Sequence, residues 1–338
     1  MYPALIWEKL PKNQVKCSTC QWYCRINEGQ VGLCRMYRND GGELFSLNYA
    51  RISSLAVDPI EKKPLYHFHP GTKVFSLGSW GCNFHCSGCQ NWEIACPESD
   101  GGLRLSRIIV PEQAVEMALQ SGSAGIAWTY NEPSIWLEYT LEVARLAKAQ
   151  GLYTVYVTNG YASVQQLDAI GPFLDAWRVD VKAFNDEGYR KIGRIQHFEG
   201  ILRVTERAMR QWGMHVEVVT NIIPGINDDD TQLRGIARWI ADSLGTLTPW
   251  HITRFHPHRQ MQDSLMTPVN TLERARVAGE ASGLKFVYLG NISGNEYGNT
   301  VCYNCGYTAV NRVGFTPRVI DMEGSCCRHC GADLNFRL

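Results

Sequence analysis

Thr72–Leu77 (TKVFSL) leads after a short gap into Gly81–Trp92 (GCNFHCSGCQNW). The first stretch is a compact apolar run and reads as a buried strand. The second is rich in Gly, Asn and Ser and reads as the loop after it. Three cysteines sit on that loop at the spacing Cys82-x3-Cys86-x2-Cys89. The strand therefore delivers three thiols to its C-terminal end.

Downstream, β-branched or aromatic runs alternate with amphipathic stretches. Strands are expected at Gly125–Tyr130, Leu152–Thr158, Ala176–Lys182, His215–Ile223, Trp250–Phe255 and Leu284–Leu289. Helices are expected at Pro111–Gln120, Ser134–Gln150, Ser163–Ile170, Gly200–Trp212, Asp229–Leu244 and Thr271–Ser282. Leu233, Ile236, Ala237, Ile240, Ala241 and Leu244 follow the i, i+3, i+4 spacing of a buried stripe, and Asp228 or Asp229 can cap that helix. The strand runs are almost continuously hydrophobic, as for parallel strands covered by helices. About seven β/α units in series imply an α/β fold with a parallel barrel, open or closed, whose chemistry gathers at the strand C-termini. Those ends carry Cys82–Cys89, Thr129–Glu132, Thr158–Gly160, Asp180–Lys182, Asn221–Gly225 and Arg254–His256. Loops are polar in any protein, but polar clusters recurring in register point to a site.

Lys plus Arg (33) equals Asp plus Glu (33), so the formal charge is zero and no global field draws the chain to nucleic acid or an anionic membrane. No run approaches the roughly 18 consecutive apolar residues of a membrane span. Met1–Lys9 lacks the layout of a signal peptide, so a cytoplasmic location without a membrane partner is expected. In a reducing compartment, thirteen cysteines argue for metal ligation if they are grouped. Twelve are: Cys17, Cys20, Cys24 and Cys34; Cys82, Cys86 and Cys89; Cys302, Cys305, Cys326, Cys327 and Cys330; Cys96 stands apart. Residues 1–50 and 299–338 break the β/α rhythm and read as small metal-stapled modules flanking a barrel at 51–298.

Three thiolates on one loop can hold three irons of a cubane cluster, leaving the fourth open to a ligand. S-adenosylmethionine (SAM) can chelate that iron through its amino and carboxylate groups, and electron transfer into its sulfonium would release a 5′-deoxyadenosyl radical. A zinc site, or a ferredoxin-type cluster with Cys96 as fourth ligand, uses the same donors.

The motif, its place after the first strand and the β/α series resemble the radical SAM superfamily. The closer resemblance is to the pyruvate formate-lyase activating enzyme branch, and closer still to the AmmeMemoRadiSam system radical SAM enzymes. It spans nearly the whole chain and includes Glu61–Gly71, Gly81–Trp92, Thr129–Ser134, Val157–Tyr161, Asp180–Phe184, Thr220–Asp228 and Pro249–Pro257. It implies a radical SAM partial (β/α)6-type barrel, a [4Fe–4S] cluster on Cys82, Cys86 and Cys89, and bound SAM. In the superfamily the residue before the third cysteine is usually aromatic, and its backbone helps hold the adenine. Here it is Gly88, so Phe84 or Trp92 would supply the aromatic wall. Where the family has Gly-Gly-Glu, this chain has Tyr130-Asn131-Glu132-Pro133, with Glu132 placed to accept from the SAM ammonium. Thr158 and Asn159 would reach the ribose or methionyl group. Asp180 and Lys182 share a strand face, so Lys182 would pair with the SAM carboxylate while Asp180 orients it. Asn221 would pass beside the adenine, and His256 would touch SAM or donate to the substrate.

Cys302-x2-Cys305 and Cys327-x2-Cys330, each followed by glycine, resemble the knuckles of a zinc ribbon, with Cys326 as a spare. Cys17-x2-Cys20-x3-Cys24-x9-Cys34 suffices for zinc or an iron–sulfur cluster, as structure or electron relay. The expected function is reductive SAM cleavage followed by hydrogen abstraction from a substrate, driven by flavodoxin or ferredoxin. The resemblance implies a pathway with Memo-like and AMMECR-domain proteins. Rival readings are a glycyl-radical-enzyme activating enzyme, an RNA-modifying enzyme and a non-catalytic zinc-binding adaptor.

Overall fold

The computed structural model describes residues 1–97, 101–292 and 296–338. The chain forms two compact units. The first comprises Met1–Asp58, Lys73–Trp177 and Glu199–Met214, and the second Pro59–Thr72, Arg178–Phe198 and His215–Leu338.

In the first unit, strands β1 (Lys73–Gly78), β2 (Gly125–Trp128) and β3 (Tyr153–Thr158) run parallel, with Gly125 opposite both Val74 and Tyr153. Every residue of β2 and β3 is buried, as continuous apolar runs require. Helices α1 (Pro111–Gln120), α2 (Leu137–Ala149) and α3 (Val164–Ile170) connect them. Ser163 caps α3, its hydroxyl accepting from the Gln166 N–H at 3.0 Å. The chain passes from the first unit to the second within β4 (Ala176–Asp180).

In the second unit, β5 (His215–Ile222), β6 (Trp250–Arg254) and β7 (Val287–Gly290) are parallel. The first unit also holds α4 (Glu199–Arg210), and the second holds α5 (Asp230–Trp239) and α6 (Val269–Ala281). Asp229 caps α5 by accepting from the Gln232 N–H at 3.0 Å. Leu233, Ile236, Ala237, Ile240 and Leu244 are buried, while Ala241 is half-buried. The last turn, Ile240–Leu244, widens to π geometry, so the stripe continues past the end of the α-helix. The β/α alternation read from the sequence is present, with strand and helix starts shifted by up to three residues.

The N-terminal segment adds short antiparallel strands to the first unit: Trp7–Lys9, Val15–Cys17 and Arg25–Ile26 form one sheet, and Tyr2–Pro3, Glu43–Ser46 and Tyr37–Asp40 another. Its core joins Val15, Ile26, Met36, Tyr37 and Leu44 to Ile135. The buried Glu138 of α2 accepts from the Leu5 N–H at 3.0 Å and the Tyr37 hydroxyl at 2.8 Å. In the second unit, Thr300–Val301, Thr308–Val313 and Thr316–Val319 form an antiparallel sheet, and Ala309, Val310, Leu334 and Phe336 pack with Phe286 and Tyr288. Among the described residues, no helix is long and apolar enough to cross a membrane.

Candidate functional site

The thiol loop leaves β1 through Ser79, which is pinned by a residue of the next β/α connection. The Asn131 Oδ1 accepts from the Ser79 N–H at 3.0 Å, and its Nδ2 donates to the Gly81 carbonyl at 2.9 Å. One side chain thus clamps both ends of the turn before Cys82. Gly81 has φ +81°, and a Cβ there would stand 2.6 Å from the Cys34 carbonyl and 2.5 Å from Met36 Cγ. Both backbone angle and space exclude a side chain.

Cys82, Cys86 and Cys89 are half-buried. The Cys82 sulfur accepts from the Phe84 N–H at 3.4 Å and faces Asn159 Nδ2 at 3.8 Å. Asn159 Nδ2 also donates to Asn83 Oδ1 at 2.8 Å. Burial pushes the Cys82 thiol well above its usual pKa, and Glu132 and the neighbouring thiols add to this. A metal would displace that proton, which makes binding pH-dependent. Cys96 Sγ lies 3.5 Å from His85 Nδ1.

Behind Asn159 lies Glu132, 1% exposed. Its Oε1 accepts from the Ser134 N–H at 3.0 Å and the Thr158 hydroxyl at 2.7 Å, and its Oε2 from the Asn159 N–H at 2.7 Å. Burial raises its pKa, and these donors pull the other way. The structure therefore brings Glu132, Thr158 and Asn159 together with Cys82. Phe84 is buried with its ring edge toward Tyr161 at 5.5 Å, and Gly88 is half-buried on the loop.

The other expected residues belong to the second unit. Lys182 Nζ pairs with Asp180 Oδ2 at 3.0 Å, and Arg178 binds the other Asp180 oxygen. Arg178, two residues before Asp180, shares its strand face. Burial alone would raise Asp180, but the Arg178 and Lys182 cations hold its carboxyl below the usual range. Asn221 Nδ2 donates to Thr253 Oγ1 at 3.0 Å, and Asn227 Nδ2 donates to the carbonyls of Lys182 (2.7 Å) and Asn221 (2.8 Å). His256 is exposed.

Sequence reading left out Asn131, Asn83, Arg178 and Asn227. Arg178 was legible in the i, i+2 spacing with Asp180. The asparagines act through backbone groups distant in sequence, which no local pattern reveals.

Cys302, Cys305, Cys327 and Cys330 converge, with all four sulfurs within 4.8 Å of one another. Cys302 and Cys330 are 3.6 Å apart, and Cys305 and Cys327 3.7 Å. Two matching turns present them: Gly306 N–H donates to the Cys302 carbonyl at 2.9 Å and Gly331 N–H to the Cys327 carbonyl at 2.8 Å. These four thiols could bind a metal. Cys326 stands outside that group.

The model of the Radical SAM superfamily matches residues 79–240, starting where β1 hands over to the thiol loop. The chain is 39% identical over 340 residues to the uncharacterized protein MJ0808 of Methanocaldococcus jannaschii, covering 100% of both chains. It is 28% identical over 183 residues to the isethionate sulfite-lyase activating enzyme of Oleidesulfovibrio alaskensis, covering 50% of this chain and 59% of that one. Against the pyruvate formate-lyase-activating enzyme of Clostridium pasteurianum it is 24% identical over 193 residues, covering 54% and 76%. With its β/α fold and three-thiol loop, the chain belongs to the radical SAM superfamily, is similar to pyruvate formate-lyase activating enzymes, and is thereby an enzyme family member with SAM and a [4Fe–4S] cluster as its implied cofactors.

Proposed function

We propose that Cys82, Cys86 and Cys89 hold the [4Fe–4S] cluster and that the chain abstracts hydrogen from its substrate in an AmmeMemoRadiSam-type pathway, with Memo-like and AMMECR-domain proteins as partners. The observation that carries the site assignment is the loop itself: three thiols presented at the end of β1, with the Phe84 N–H and the Asn159 amide directed at the Cys82 sulfur. Thiolates on one loop with N–H donors to sulfur suit a cubane, whose potential such donors tune. Bound together, cluster and SAM supply a 5′-deoxyadenosyl radical on one-electron reduction. Flavodoxin or ferredoxin would provide the electron.

Around that centre the chain's own residues bind and orient. Glu132 Oε2, engaged by a single donor, keeps a lone pair for the SAM ammonium, while Oε1 fixes Thr158. Asn159 is a positioning residue for the Cys82 sulfur. Lys182 meets the SAM carboxylate, with Asp180 and Arg178 setting its direction. Asn221, Phe84 and Gly88 line the adenine side, and His256 serves the substrate. The C-terminal thiols hold zinc: sulfurs bound to one tetrahedral ion at about 2.3 Å stand roughly 3.8 Å apart, close to the 3.6 and 3.7 Å spacings here.

The similarity to MJ0808 runs the full length and takes in both terminal cysteine modules, whereas activating enzymes match about half the chain. Activation of a glycyl-radical enzyme is the second reading, favoured by that partial similarity. The test is anaerobic reconstitution, reduction with dithionite in the presence of SAM, and mass spectrometry of the products. The wild type yields 5′-deoxyadenosine and Cys86→Ala yields none while keeping its zinc. A cluster-loaded wild type that leaves SAM intact would overturn the proposal.

A further inference from the structure

The N-terminal cysteines meet the central loop from two sides. On one, the Cys34 carbonyl packs where a Gly81 side chain would stand, against the peptide that leads into Cys82. On the other, Cys20 bridges to Ala162, Gln21 N–H donates to the Tyr161 carbonyl at 3.1 Å, and Trp22 Nε1 donates to the Asn83 carbonyl at 2.8 Å. The Trp22 and Tyr161 rings meet edge-on at 5.9 Å, and Tyr161 reaches Phe84 at 5.5 Å. Two of the four thiol-bearing segments therefore end on the peptide units flanking Cys82.

The four thiols are gathered. Cys17 N–H donates to the Cys24 carbonyl at 2.9 Å, and Cys17, Cys20 and Cys34 are buried. Cys17 and Cys34 lie in one apolar cluster with Val15, Ile26 and Met36, and Cys24 packs against it. Their arrangement differs from the C-terminal set. Among the described residues, it is Cys302, Cys305, Cys327 and Cys330 whose sulfurs close to within 4.8 Å. Cys17, Cys24 and Cys34 share one cluster without that convergence. Thiolates around a cubane each bind a different iron, so they stand farther apart than four sharing one ion.

We propose that Cys17, Cys20, Cys24 and Cys34 hold an iron–sulfur cluster that relays single electrons to the centre held by Cys82, Cys86 and Cys89. A low-potential one-electron donor, such as a reduced flavodoxin, loses one electron; the N-terminal cluster gains it and then passes it on. The thiolates stay bound, no bond breaks at the relay, and no proton moves. The electron's destination rests on the radical SAM reading; the identity of the N-terminal metal does not.

The triple variant Cys82→Ala, Cys86→Ala, Cys89→Ala, reconstituted anaerobically with iron, sulfide and zinc, isolates the question. It should retain one cubane's worth of iron and sulfide, one zinc, and an electron paramagnetic resonance signal on reduction that SAM leaves unchanged. Zinc in place of that iron would overturn the proposal. Cys24→Ser, at the most accessible of the four thiols, keeps a ligand-capable oxygen and should shift the midpoint potential of that signal; an unmoved potential would overturn the assignment to these residues. In the wild type, freeze-quench reduction by reduced flavodoxin should raise the N-terminal signal before the central one, and the reverse order would overturn the relay. Failure of the radical SAM reading looks different: the triple variant's cluster forms, but the loaded wild type leaves SAM intact.

Discussion

At the residue scale, His67 and Glu217 show how buried titratable groups are held by specific partners. His67 is fully buried, with Nδ1 2.7 Å from the Leu334 carbonyl and Nε2 2.6 Å from the Tyr288 hydroxyl. A carbonyl only accepts, so Nδ1 carries the proton and Nε2 accepts from Tyr288. Burial among Phe286 and Phe336 pushes His67 down to about 3, despite the nearby Glu217 carboxylate. In the unfolded chain its pKa is about 6.5, so between roughly 6.5 and 3 the unfolded state binds the extra proton. Stability therefore falls as pH falls through that window, by about 1.4 kcal/mol per unit for a single group. Denaturant unfolding at pH 7 and pH 5 checks this: His67→Gln should show a shallower loss than the wild type, and an identical loss would contradict it. The neighbouring Glu217 accepts from His215 (3.0 Å), His251 (2.6 Å) and the N–H groups of Tyr66 (3.0 Å) and His67 (2.8 Å). It stays ionised well below the usual carboxylate range: burial would raise it, and the His215 and His251 hydrogen bonds overcome that.

At the element scale, helices were legible because their stripes and caps are local. Asp229 and the Leu233–Leu244 stripe announce α5 in sequence, and the structure buries that stripe apart from the half-buried Ala241. Leu233 is fully buried, so Leu233→Ala should destabilise by about 2–5 kcal/mol through lost transfer energy and a residual cavity. Urea unfolding measures it, and a change below about 1 kcal/mol would mean the site collapses around the gap. Strand ends were legible for the same reason, since Cys82, Glu132, Asn159 and Asp180 each follow an apolar run. The clamp made by Asn131 was not, because its two bonds join the β1 loop to the connection after β2. The same holds for Asn227, whose amide reaches the Lys182 carbonyl. Such contacts depend on register between elements, which periodicity does not encode.

At the scale of the whole molecule, the terminal cysteine segments lack separate cores. Residues around Cys17 and Cys34 share apolar packing with Ile135, and those around Cys302 and Cys327 with Phe286 and Tyr288. Sequence reading saw the breaks in rhythm at both ends but not this shared packing, because it joins residues far apart in the chain. The charge is balanced, 33 cations against 33 anions, so no global field acts on a ligand. The account rests on one iron of the central cluster being open to SAM. Electron paramagnetic resonance of the reduced protein, recorded with and without SAM and corrected with the Cys82→Ala, Cys86→Ala, Cys89→Ala variant, tests this most directly. The difference spectrum should change its g-values when SAM is added. A central signal indifferent to SAM would mean that a protein side chain closes the cluster, and would contradict the account.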